Sequence, residues 1–125
     1  MNKFVAPVAV AALFAMFTGL AFAQTKTGDS AKGKVLTDGK GMTLYTFDKD
    51  AGDKSACSGP CATNWPPLMA TDSAKPAASY TVITRDDGGK QWAYKGKPLY
   101  TWIKDTKPGD VSGDGVNGVW HLAKP

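Results

Sequence analysis

Gly41-Met42-Thr43-Leu44-Tyr45-Thr46-Phe47-Asp48-Lys49-Asp50 returns, fifty-five residues later, as Gly96-Lys97-Pro98-Leu99-Tyr100-Thr101-Trp102-Ile103-Lys104-Asp105. Both stretches read G-x-x-L-Y-T-[FW]-x-K-D, and each is followed fifteen residues after its aspartate by a tryptophan, Trp65 or Trp120. Such register without a gap indicates two copies of one β-rich unit. Within each copy the tyrosine and the aromatic two residues on, Tyr45 with Phe47 and Tyr100 with Trp102, project from one strand face, and Leu44 and Leu99 from the other. Two equivalent ladders can pack on each other and on Trp65 and Trp120 as an aromatic core. The competing expectation is a candidate ligand surface of Tyr45, Trp65, Tyr100, Trp102 and Trp120, which requires solvent-accessible rings with polar neighbours. Asp50 and Asp105 end their strands, where a carboxylate accepts backbone N–H bonds from the following loop.

Outward from these motifs the chain is a series of short β-like runs broken by turn signals. Val35 to Thr37 and Thr43 to Phe47 flank Asp38-Gly39-Lys40-Gly41, and Tyr80 to Arg85 and Gln91 to Tyr94 flank Asp86-Asp87-Gly88-Gly89, each pair reading as a hairpin. A turn at Lys95-Gly96 leads into Pro98 to Ile103, and Val119 to Leu122 supplies a last strand. No segment carries a helical period over eleven or more residues. The predicted fold is all-β, a small antiparallel domain of two pseudo-equivalent β-hairpin repeats. Its expected divisions are a signal peptide at 1–23, a flexible lead-in at 24–31 and one β domain at 32–125. Within that domain repeat one covers about 32–68, a linker about 69–79, and repeat two about 80–125.

Lys3, the apolar run from Val5 to Leu20 and Ala21-Phe22-Ala23 together have the form of a cleavable secretory signal. That run is short for a spanning helix, so no membrane span is expected after cleavage, and the protein should be periplasmic or secreted. The remaining chain is long enough for one small domain. All four Trp and all four Tyr lie in it, so large aromatics must supply much of the burial. Without Lys3 there are 14 basic against 11 acidic residues, and every acid is an aspartate. The lysines are scattered singly, with no basic run or arginine cluster to track phosphates, which argues against nucleic acid as a partner. Loose attraction to anionic envelope polymers is compatible with this charge, although a solvated surface also explains it.

The pattern Tyr-x-[Phe/Trp]-x-x-Asp at Tyr45–Asp50 and Tyr100–Asp105, with Cys57-Ser58-Gly59-Pro60-Cys61 and Trp65-Pro66-Pro67-Leu68, resembles the bacterial secreted-repeat family of unknown function, predicted lipoproteins with a Y-x-[FWY]-x-x-D motif. The resemblance covers nearly the whole exported chain and implies an exported module of two repeats. Many relatives carry a lipobox cysteine; this chain has none, so a lipid anchor does not carry over. The family brings no established reaction or ligand.

Cys57 and Cys61 stand in repeat one only, aligned with Ser112 and Val116. In an oxidising compartment two cysteines this close are expected to form a disulfide. C-x-x-x-C lacks the thioredoxin-like spacing that a redox role would favour. Opposite them, Asp110-Val111-Ser112-Gly113-Asp114-Gly115 has the beginning of a calcium loop, with oxygens at its first, third and fifth positions and glycine at the sixth. Its twelfth position is His121 instead of a bidentate Glu, so the weak metal set is Asp110, Ser112, Asp114 and His121. His121, Met42 and Met69 are copper-compatible types but form no local cluster. Neither a nucleophile motif nor a distinctive carboxylate pair is present, so no catalytic residue is assigned and the protein is expected not to be an enzyme. The leading reading is an envelope binding or interaction module for a glycan, small molecule or protein, with no cofactor. Its alternative is a periplasmic metal-binding or redox accessory protein using calcium, copper or the cysteines.

Overall fold

The computed structural model describes residues 25–125, and the expected signal peptide lies outside them. Two hairpin units make up the framework. In the first, β1 (Thr25–Ser30) pairs antiparallel with β2 (Gly33–Asp38), from Thr25 opposite Asp38 to Ser30 opposite Gly33. The second contains β4 (Tyr80–Thr84), β5 (Lys90–Tyr94) and β6 (Lys97–Pro98), with Tyr80 opposite Tyr94 and Tyr94 opposite Lys97. Where the sequence predicts a flexible lead-in, the structure therefore places a strand, and repeat one begins before residue 32. Thr25-Lys26-Thr27-Gly28-Asp29-Ser30 is too polar to announce itself, yet its backbone is the ladder partner of β2, whose Val35 and Leu36 are buried.

The predicted hairpin around Asp38 is short. Thr37 bridges Thr43, and the Asp38 N–H donates to the Met42 carbonyl and the Leu44 N–H to the Leu36 carbonyl, both at 2.9 Å, after which the chain turns away to other partners. Its counterpart in repeat two, Lys95-Gly96, is one residue tighter. Both residues have positive φ, 51° and 81°, as a two-residue hairpin turn compatible with strand twist requires.

Those other partners cross between repeats. The strand β3 (Tyr45–Phe47) pairs with β7 (Trp120–Leu122), Tyr45 opposite Leu122 and Phe47 opposite Trp120. Tyr45 and Tyr100 exchange backbone bonds, N–H to carbonyl at 2.8 Å one way and 3.0 Å the other. Around this pair the contacts repeat with two-fold character. Ala123 N–H donates to Leu44 and Leu68 N–H to Leu99, both at 2.9 Å; Leu36 N–H donates to Ala123 and Trp92 N–H to Leu68 at 2.8 and 2.9 Å. The final strand of each repeat thus completes the other, and the two copies are intertwined. The connecting segment is held at its start, where Met69 bridges Gln91 and Ala70 N–H donates to Lys90 at 2.9 Å.

Alternation along these strands separates two cores. Leu36, Leu44, Trp92, Leu99 and Ala123 form an aliphatic cluster, and Tyr45, Cys57, Trp65, Tyr100 and Trp120 an aromatic one. Leu44 and Leu99 are fully buried beside equally buried Tyr45 and Tyr100, as opposite faces of one strand demand. Each such leucine contributes about 2 kcal/mol of transfer free energy. One helical turn, α1 (Pro60–Asn64), follows the strand motif of repeat one; a 3₁₀ turn at Val116–Gly118 takes the equivalent place in repeat two.

Candidate functional site

The repeated motif closes on itself across the two repeats. Tyr45 of repeat one donates its hydroxyl to Asp105 Oδ2 of repeat two at 2.6 Å, and Tyr100 donates to Asp50 Oδ2 at 2.7 Å. This reciprocity explains why tyrosine and aspartate recur with fixed spacing: each strand supplies a donor to the other copy and an acceptor at its own end. Burial, followed by the bond to Asp105, raises the Tyr45 pKa well above the ordinary phenol value. Burial also raises that of Tyr100, with the Ser55 hydroxyl opposing and Asp50 adding to the rise. Both phenols therefore remain neutral donors at physiological pH.

The surroundings of the two pairs differ. Asp105, buried, also accepts from Ser112 N–H at 3.0 Å and Ser112 Oγ at 2.6 Å, and Gly113 N–H donates to the Tyr45 oxygen at 3.1 Å. Asp50 accepts from Ala56 N–H at 2.7 Å. Its pKa is raised by burial, against the pull of that N–H, the Tyr100 hydroxyl and Arg85. Arg85, the single arginine of the chain, is 5% exposed. Its Nη1 donates to Ser55 Oγ at 3.0 Å and Gln91 Oε1 at 2.9 Å, and its Nη2 to the Cys57 carbonyl at 2.7 Å. The Ser55 and Tyr100 oxygens lie 2.7 Å apart, so one connected network runs from Arg85 through Ser55 and Tyr100 to Asp50. Sequence reasoning missed Arg85, Ser55 and Gln91. A lone arginine among lysines was the available signal, because only its planar fork serves several buried acceptors at once.

The aromatic residues form a continuous stack. Phe47 lies on Trp120 at 4.2 Å between centroids, Trp120 on Trp65 at 3.7 Å, and Trp65 on Trp102 at 3.9 Å. Tyr45 meets Trp65 edge-on at 5.4 Å and Tyr100 meets Trp120 edge-on at 5.2 Å, preserving the two-fold pattern. The candidate ligand surface of Tyr45, Trp65, Tyr100, Trp102 and Trp120 is corrected by this packing. Four of those rings are buried and only Trp102 is partly accessible. The repeat equivalents Trp65 and Trp120 stack on each other, and the remaining rings pack on these two, where ring contact and burial outweigh exposure to water.

Cys57 and Cys61 are joined in a disulfide with Cα atoms 5.2 Å apart, and Cys57 is buried in the aromatic core. The weak metal set does not converge. Asp110 accepts from Lys107 Nζ, which does most to hold its pKa down at about 2, and from the N–H groups of Thr106 and Lys107. Ser112 turns to Asp105, Asp114 pairs with Lys32 at 2.9 Å, and His121 meets Asp48 at 2.8 Å. Among the described residues no three His, Cys, Asp or Glu side chains are grouped to hold a metal ion.

Two intertwined hairpin repeats, locked by reciprocal tyrosine–aspartate bonds, define a β-repeat protein in which the motif is the lock. The family described as "Secreted repeat of unknown function" matches residues 26–69 and 81–124, and the chain belongs to it. The match starting at 26 takes in nearly all of β1, and the second ends two residues beyond β7, the strand that completes repeat one. Comparison with curated proteins and with solved structures gives no significant match. No helix among the described residues is long and apolar enough to cross a membrane.

Proposed function

We propose that this protein is a non-enzymatic interaction module of the cell envelope, exported to the periplasm or beyond, which presents a rigid outer surface to a partner. The carrying observation is the inward orientation of the repeated motif. Tyr45, Tyr100, Asp50 and Asp105 are bonded to each other, and Trp65 and Trp120 are stacked between them. Their role is to hold two copies together, which leaves recognition to the polar, lysine-bearing exterior. A secreted family and a disulfide support the location.

Cosedimentation of the purified mature protein with isolated cell-envelope fractions tests the reading. Saturable retention, unchanged by EDTA or by a thiol-alkylating reagent, is the expected result. Retention that disappears with either reagent would transfer the function to a metal or thiol centre, and absence of retention from every fraction would remove the proposal.

A further inference from the structure

One groove on the exterior gathers three lysines in its lining. Thr46, Tyr94, Lys95, Lys97, Leu122, Ala123 and Lys124 line a depression of about 240 Å³ between the β5–β6 turn and the end of β7. It has three ammonium groups and no acid in its lining. Four lysines elsewhere pair with aspartates, Lys32 with Asp114, Lys34 with Asp29, Lys54 with Asp86 and Lys107 with Asp110, whereas the other described lysines without an acid partner are not gathered around one depression in this way. A second depression, of about 250 Å³, includes both Lys26 and Asp29, and that aspartate is already paired with Lys34.

In the first groove two ammoniums are positioned by uncharged partners. Lys124 Nζ donates to the Lys32 carbonyl at 2.9 Å, and Lys95 Nζ sits 5.2 Å from the centre of the Tyr94 ring. A carbonyl and an aromatic face orient a cation without neutralising it. Lys95 also occupies a left-handed turn position, φ 51°, where Asn or Gly is the usual choice. The pseudo-symmetry supplies an internal comparison. Fifty-five residues earlier, Lys97 corresponds to Met42 and Lys124 to Met69, whereas Thr46 corresponds to Thr101 fifty-five residues later. At these two lysine positions the scaffold requires no charge, while the third, Lys95, has a lysine counterpart in Lys40, so the second repeat's groove has three ammoniums where the equivalent positions have one.

We infer that this groove binds an acidic saccharide, with Lys95, Lys97 and Lys124 receiving its carboxylate or phosphate groups and Tyr94, Leu122 and Thr46 meeting the sugar. The inference rests on the envelope-binding reading and supplies its ligand class. Apolar Leu122 and Ala123 beside Tyr94 offer a surface to the C–H face of a sugar ring, and the open shape admits a segment of a longer chain.

Calorimetric titration of the mature protein with oligogalacturonide, phosphomannan and neutral dextran, at low and at raised salt, tests it. The wild type should bind at least one acidic probe, more weakly as salt rises, and should not bind dextran. K97M/K124M, which installs the residues of the equivalent positions, should lose about tenfold in affinity, as removal of two exposed charge contacts implies. K49M/K104M removes the same charge elsewhere and should bind as wild type. Preference for oligogalacturonide or phosphomannan identifies carboxylate or phosphate as the recognised group. Equal losses in both double variants, equal binding of dextran, or no binding of either acidic probe overturns the inference. Retention of K97M/K124M on envelope fractions at the wild-type level also overturns it and leaves the envelope-binding reading standing.

Discussion

Between Asp50 and Trp65 the chain closes a loop with a covalent bond, and between Asp105 and Trp120 it closes the equivalent loop with a carboxylate. Cys57–Cys61 staples the first, half-exposed Asp50 accepting one backbone N–H beside it. In the second, buried Asp105 takes both the N–H and the hydroxyl of Ser112, the residue aligned with Cys57. Val116, aligned with Cys61, packs on the aromatic core. The two solutions act on different states. A disulfide restricts the unfolded chain, whereas buried hydrogen bonds must be made in the native one. Repeat two should therefore tolerate less change in its side chains than repeat one.

The largest expected effect is at the carboxylates. Asp105→Ala orphans the Tyr45 hydroxyl and two Ser112 donors, and should cost about 3–4 kcal/mol in urea unfolding. Asp50→Ala, half-exposed and backed by the disulfide, should cost about 1–2 kcal/mol. Equal losses would break the comparison. Next comes the disulfide itself. C57S/C61S should lose about 2 kcal/mol, the chain-entropy value for so small a loop, with no change in the near-ultraviolet signature of the stacked tryptophans.

Gly113 gives a sharper contrast. A Cβ there would meet Trp65 at 2.8 Å and Tyr45 at 3.0 Å, so Gly113→Ala should destabilise by about 1–3 kcal/mol. Ser58→Ala, at the aligned and exposed position of the disulfide loop, should stay within about 0.5 kcal/mol of wild type. Unfolding midpoints of the two variants check the difference.

The smallest effects are in the acid range, and they have opposite signs. The folded-state pKa of Asp50 is raised above 3.8, so the native state binds its proton more tightly, and this group adds stability as pH falls through the raised value. Asp110 is lowered to about 2, so its contribution is present above pH 3.8 and is lost as pH falls from there toward 2. Asp110→Asn should flatten the acid-side loss between those limits, and Asp50→Asn should steepen it on the side nearer neutrality. Stability measured against pH for both variants would expose any shared sign.

The β-repeat character was legible because period-two alternation and a gapless fifty-five-residue register report backbone geometry directly. Hairpins at Asp86–Gly89 and Lys95–Gly96 were legible from turn chemistry, and the disulfide from spacing and compartment. β1 was not, since Thr25–Ser30 owes its strand to hydrogen bonds with β2 and not to its own apolar pattern. The candidate aromatic surface was misjudged because alternation tells which side chains share a face, not what covers that face. The Asp110–His121 set had calcium-like spacing, but each side chain found a nearer donor or acceptor in the folded loop.

By itself the sequence determined that two copies of one strand motif exist and which residues each must retain, because local alternation and turn geometry are properties of neighbouring residues. Only the tertiary structure decided that the copies interlock, Tyr45 to Asp105 and Tyr100 to Asp50, and that Lys95, Lys97 and Lys124 meet around one groove. Those contacts join residues far apart along the chain. Their partners are selected by burial and hydrogen-bond satisfaction in the assembled core, quantities that no segment possesses until the other repeat is in place.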